Sequence, residues 1–197
     1  MQLSLNEDQV QILDFLDSLS KPYASVPMHD TSFALSNDAL DAELAEGGFL
    51  DVAMMPELGP ATAALVVEKL ARLPFATECG ASALVRPVVD PALGKPMCVV
   101  EEGQLRKPVR FLRAGATVLV VGRDHVSSFV ASEAEVRSAG DEVLYGYPMA
   151  YLASLPAALH RHDSDPVEAR RAWRVALAAE AAGLLAAALQ SVTTYTA

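Results

Sequence analysis

The sequence is poor in cysteine, in aromatic side chains and in positive charge, and each scarcity narrows the field. It has two cysteines, Cys79 and Cys98, both in apolar surroundings and without a CxxC spacing. That pattern argues against a disulfide framework and predicts reduced core thiols of a cytoplasmic protein. Aromatics make up only 6% of the chain while apolar residues make up 52%, so the core must be built mainly from Ala, Leu and Val. Lys and Arg total 15 against 25 Asp and Glu, a net charge of -10. Such a balance argues against nonspecific binding to nucleic acid or to an anionic membrane. The N-terminus MQLSLNEDQ lacks the basic and apolar regions of a signal peptide. The most apolar stretch, Val175 to Leu189, contains Glu180 and is shorter than a membrane span. The expectation is a soluble protein with no membrane and no nucleic-acid partner.

What is present falls into three parts. Residues 1–87 read as a helical domain. Val10, Leu13, Leu16 and Leu19 form one helical stripe behind Asn6, a plausible N-cap, and Pro22 ends it. A polar loop follows from Tyr23 to Ser36. Ser36 or Asn37 caps a short helix that Gly47-Gly48 closes. A third helix has Pro60 in its first turn and stops at Pro74. A fourth is expected between Pro74 and Pro87. Residues 88–147 read as a small antiparallel β-domain, with strands at "MCVV", "PVRFL", "ATVLVVG" and "VSSFVA" and hairpin turns at "EEG" and "VGRDHV". Residues 148–165 read as an irregular or briefly helical linker. Asp163, Ser164 or Asp165 then caps a last helix, 166–197, with Pro166 in its first turn. Its Ala-rich stretch favours helix and close helix contacts. It is apolar around most of its circumference and carries no stop signal, so it is expected to be the first member of an incomplete four-helix bundle. The other members would come from further sequence or from a partner chain.

Three stretches in this order resemble the acyl-CoA dehydrogenase family. They are "ELAEGGFLDVAMMPELGPATAALVVEKLARLP", "MCVVEEG" and "RRAWRVALAAEAAGLLAAALQSVTTYTA". The first is similar to the family's helix, Gly-Phe step, strand-like run and Val-Val-Glu-Lys-Leu helix. The second resembles its Cys-Val-Thr-Glu-Pro-Gly flavin motif, and the third the first helix of its C-terminal bundle. The likeness implies an α+β fold with a helical N-domain, a small β-domain and a long C-terminal helix. It implies FAD and an acyl-CoA thioester, desaturated by a glutamate base and a flavin. One family position for that glutamate falls on Trp173, beside Arg174. The flavin-contacting Thr corresponds to Val100 and the Pro to Glu102, followed by Gly103. The Gly-Ser-Asp that normally follows is replaced by "QLRK". The other base position and the arginine that reaches FAD would both lie beyond residue 197.

The resemblance therefore implies a non-catalytic structural subunit, with no catalytic residue of its own. It would share FAD with a catalytic acyl-CoA dehydrogenase subunit or an identical chain, as in bacterial heteromers of fatty acid or steroid β-oxidation. Alternatively, the chain is the N-terminal portion of a complete FAD-dependent dehydrogenase, or a family-derived binding module. Other features have simpler readings. Trp173 serves either as core filling or as a substrate contact. Glu168 and Glu180 lie off the base register. His160 and His162 with Asp163 or Asp165 are metal-ligand types, read as a solvated loop. Ser127-Ser128 near His125 lack a nucleophile elbow and read as a strand. Arg106, Lys107, Arg110 and Arg113 form a basic patch for CoA phosphates, an acidic partner or solvent.

Overall fold

The computed structural model describes residues 4–26, 34–143 and 146–196. Most of the predicted loop between Tyr23 and Ser36 lies outside the described residues. Helix α1 spans Glu7–Ser20, and Asn6 and Gln9 form a reciprocal capping box at its start. Asn37 caps α2, Asp38–Glu46, and Pro60 sits in the first turn of α3, Gly59–Leu70. Between them, Gly48 adopts φ +73° and releases a 3-10 turn, Phe49–Met54, where a strand-like run was expected. Leu13, Leu16, Leu40, Leu44, Phe49, Val66 and Leu70 build the helical core.

The fourth helix departs from expectation. It begins with a π-helical turn, Ala81–Val85, and continues as α4, Arg86–Val89. Pro87 thus lies inside the helix and not at its boundary. The N–H of Arg86 bonds to the carbonyl of Ala81, five residues back, and that of Asp90 to Arg86, four back. The wide turn falls just before the proline, where the helical hydrogen-bond ladder would be interrupted anyway.

Among the described residues, seven strands follow: β1 Met97–Glu101, β2 Val109–Arg110, β3 Thr117–Val121, β4 Val126–Val130, β5 Val136–Ser138, β6 Met149–Leu152 and β7 His160–His162. They form two sheets, ordered β1-β3-β4-β7 and β2-β6-β5. The purely antiparallel expectation is corrected at one place, because β1 pairs with β3 in parallel. "EEG" is therefore no hairpin turn. It is a 3-10 turn, Glu102–Gln104, that carries the chain from one sheet to the other. "VGRDHV" does make the β3–β4 hairpin, closed by a Gly122 N–H to His125 carbonyl bond of 2.9 Å. The expected linker contributes β6 and β7, so the sheets reach past residue 147.

Strand β3 is buried throughout, because the larger sheet is covered on both faces. Cys98, Val100, Val118 and Val120 face the smaller sheet, while Met97, Leu119, Val121 and Val126 face the helices. Cys79 and Cys98 are free and buried, and burial pushes both thiols up.

Helix α5, Pro166–Thr196, lies across these layers. Asp165 caps it through a 2.8 Å bond from the Val167 N–H. Its contact edge uses small residues. Ala169, Ala176 and Gly183 are buried, and a Cβ on Gly183 would lie 2.1 Å from the Glu68 carbonyl oxygen of α3. Gly80, at the start of the π turn, sits against Ala176 and Glu180 in the same way. The complete helix changes one expectation. From Pro166 to Tyr195 it is long and apolar enough to cross a membrane by length and composition, and 11% of its most apolar window is buried.

Candidate functional site

The side chains with the most chemistry gather where β1, β2, the π turn and α5 meet. Strand β1 is an edge of its sheet, so its free side opens onto a cavity of about 140 Å³. Glu78, Val100, Lys107, Arg110, Trp173 and Glu180 are among its walls. A more apolar groove of about 320 Å³ runs on the other side, between α3, the Leu73–Thr77 segment and α5, past Leu184. Arg110 and Glu180 line both. Their 2.8 Å ion pair is the partition between the two spaces. Arg110 also donates a 2.7 Å bond to the Tyr147 hydroxyl and lies 5.3 Å from the centre of the Phe111 ring. Phe111 holds φ +61°, a left-handed conformation uncommon for a bulky residue.

Glu78 is the buried acid of the site. One carboxylate oxygen accepts bonds from the Ser82 hydroxyl at 2.6 Å and the Met97 N–H at 2.9 Å, and the other accepts the Ser82 N–H at 3.1 Å. Burial pushes its pKa up to about 7, against those hydrogen bonds, which pull it down. All of its bonds run to the start of β1 and the π turn, so the carboxylate fastens sheet to helix.

The predicted residues separate into two groups. Val100 and Trp173 border the same cavity, although 73 positions apart. Trp173 also packs against both the helical core and the helix-facing side of the larger sheet. Glu102 and Gly103 instead stand exposed in the 3-10 turn, and a Cβ on Gly103 would meet open space. Arg174 is exposed on α5. Glu168 is held by Arg171 at 2.8 Å on the surface. The basic patch is divided: Arg110 turns inward to Glu180, while Arg113 reaches Asp38 at 3.6 Å.

Arg170 and Glu101 escaped the sequence reading. Arg170 approaches the Glu101 carboxylate at 3.2 Å and donates to the Gly122 carbonyl, tying α5 to β1 and to the β3–β4 turn. An arginine one turn inside a helix, with a carboxylate closing a strand, was the available signal. His162, which the sequence reading left in a solvated loop, lies 34 positions downstream of Ser128. The β4–β7 pairing brings its Nε2 to 2.8 Å from the Ser128 hydroxyl, with Asp90 3.7 Å from its Nδ1. Both Ser128 and His162 are buried, and Ser128 lies mid-strand rather than on an exposed turn, so the pair is a strand-to-strand tether. His125 pairs with Asp124 and not with either serine. His160 and His162 lie on a strand and not in a loop. Among the described residues, no group of three or more His, Cys, Asp or Glu is placed to hold a metal ion.

FAD does not fit the residues assembled here. Val100 faces the space between the sheets and offers no hydroxyl. The cavity beside it, about 140 Å³, is well below the roughly 300–1,000 Å³ of ordinary ligand pockets. Fold and site together define an α+β protein whose long helix closes over the edge of a small β-sandwich. Compared with known protein families, curated proteins and solved structures, this chain matches none.

Proposed function

We propose that this chain is a non-catalytic, acyl-CoA dehydrogenase-like subunit. It supports FAD-dependent α,β-desaturation of an acyl-CoA thioester in the cytoplasm, carried out by a catalytic partner chain. The observation that carries this reading is Trp173. An indole stands where the resemblance would put the base, walling a cavity too small for a flavin ring system. An indole removes no α-proton, and Arg110 and Glu180 neutralise each other instead of meeting a substrate. The order of parts supports the same reading: helices, small sheets, then one long helix. The proton and hydride transfers fall to the partner. This chain's residues hold the frame, with Glu78 and Arg170 locking the sheet edge to the helices.

The test is flavin content. Purified alone, the chain is expected to carry no flavin absorbance and to reduce no electron acceptor with acyl-CoA thioesters. Co-expressed with a catalytic acyl-CoA dehydrogenase subunit, it is expected to co-purify in a yellow, active complex. Stoichiometric flavin on the isolated chain would overturn the proposal.

A further inference from the structure

We infer that the groove between α3, the Leu73–Thr77 segment and α5 binds a small apolar molecule with one neutral carbonyl group, a ketone or ester of about ten non-hydrogen atoms. The groove measures about 320 Å³, against about 140 Å³ for the cavity beside Val100, and so reaches the roughly 300–1,000 Å³ of ordinary ligand pockets. Its walls are mostly hydrocarbon: Val67 and Ala71 from α3, Leu73 and Phe75 from the connecting segment, and Leu184 from α5. Leu184 is 59% exposed, and covering it with an apolar ligand is favourable. Cys79 also lines the groove. Burial pushes its thiol up, so it is an apolar wall and not a nucleophile toward the carbonyl.

The polar groups select the head of the ligand. Apart from Thr77, the polar side chains on the groove are Arg110, Tyr147 and Glu180, gathered at the partition. Glu180 holds Arg110 at 2.8 Å, so the pair carries no net charge. A carboxylate placed there would meet Glu180, and an ammonium would meet Arg110; either would be desolvated without a free counter-charge. What the partition does offer is donors. Arg110 gives its Nε–H to the Tyr147 hydroxyl at 2.7 Å and its Nη1 to Glu180. Among the described residues, its Nη2 has no partner, and the Tyr147 hydroxyl accepts from Arg110 but donates to none. The Phe111 and Tyr147 rings lie 5.3 and 5.8 Å from the guanidinium and help to hold it in place. Two donors at a neutral boundary of an apolar groove match one uncharged acceptor. A carbonyl oxygen, with two lone pairs and no proton, takes both. The groove lies across the partition from Val100 and Trp173, so its ligand does not depend on the desaturase reading.

Calorimetric titration of the full chain with methyl heptyl ketone is expected to show saturable binding, with Kd on the order of 100 µM. Octanoate and nonylamine, of similar size, should bind about 10-fold more weakly or worse. Leu184→Asp, at an exposed wall position, should weaken ketone binding by about 10-fold or more and leave the circular dichroism spectrum unchanged. The head is read by NMR. The ketone's carbonyl carbon should move downfield on binding, and Tyr147→Phe, which keeps the ring, should reverse part of that shift and weaken binding about 5-fold. Absence of saturable ketone binding, or binding that Leu184→Asp leaves unchanged, would overturn the site. Octanoate or nonylamine bound as tightly as the ketone would overturn the neutral head, as would a carbonyl resonance that Tyr147→Phe does not move. Flavin on the isolated chain would overturn the desaturase reading alone.

Discussion

The two halves of α5 are both rich in alanine, yet their surroundings differ sharply. From Pro166 to Gly183 the helix is pressed against α3, the π turn and the sheet edge, with Ala169, Ala176 and Gly183 at the points of contact. From Leu184 onward it is more open: Leu184, Leu185, Leu189 and Val192 are 59–71% exposed, while Ala186 and Ala187 stay half-buried. Apart from Trp173, which packs inward, the larger aliphatic side chains are therefore outside and the smaller ones inside, the reverse of an ordinary core helix. The inner half shows why. Where two backbones approach this closely there is no room for a side chain, and the contact is won by backbone proximity rather than bulk. On the outer half, the exposed bulk forms an apolar patch instead of a core contact.

Three substitutions or conditions sharpen that contrast. The largest effect is expected at Gly183→Ala. Its Cβ would lie 2.1 Å from the Glu68 carbonyl oxygen, so α3 and α5 must separate. A loss of about 3 kcal/mol is expected in denaturant unfolding, and a loss well under 1 kcal/mol would show that the inner contact is looser than described. Next comes Glu78, which fastens the segment that the inner half packs against. Its folded pKa, about 7, is above the unfolded value of 4.5. The folded state therefore holds the proton more tightly, and this contribution to stability is fully present below about pH 4.5. It is lost as pH rises toward 7 and is flat beyond that, a change of about 3 kcal/mol. The slope should vanish in Glu78→Gln, whatever the absolute stability of that variant; a slope that persists assigns it to another group. The smallest effect is expected on the outer half. Leu189→Ala, at a site 66% exposed, should change stability by no more than about 0.5 kcal/mol. A cost of several kcal/mol, typical of a buried leucine, would mean that the outer half is already covered.

Much of the fold was legible before the structure, and the reasons are local. Asn6, Asn37 and Asp165 cap helices because their short polar side chains reach the free N–H groups of the first turn. Pro60 and Pro166 mark helix starts for the same kind of reason. What failed was anything requiring a partner distant in sequence. Pro87 was read as a boundary because a π turn has no sequence signature. β5, β6 and β7 were missed because short strands are fixed by their neighbours rather than by their own periodicity. "EEG" was read as a hairpin because the parallel pairing of β1 with β3 is invisible in the residues themselves.

The site divides along the same line. Trp173 and Val100 were singled out from the motifs around them, and the structure puts both on one cavity wall. That Arg110 leaves its basic neighbours for Glu180, or that Glu78 and Arg170 lock the sheet edge, was not readable. Each depends on groups brought together from 19 to 70 positions away.

The sequence alone determined the helix caps, the Ala-rich contact edge of α5 and the shortage of positive charge, because these follow from side-chain chemistry and periodicity within a few turns. Only the tertiary structure decided that Glu78 is buried and that Arg110 faces Glu180. It also decided which edge of α5 is left open, because burial is a property of the space between elements.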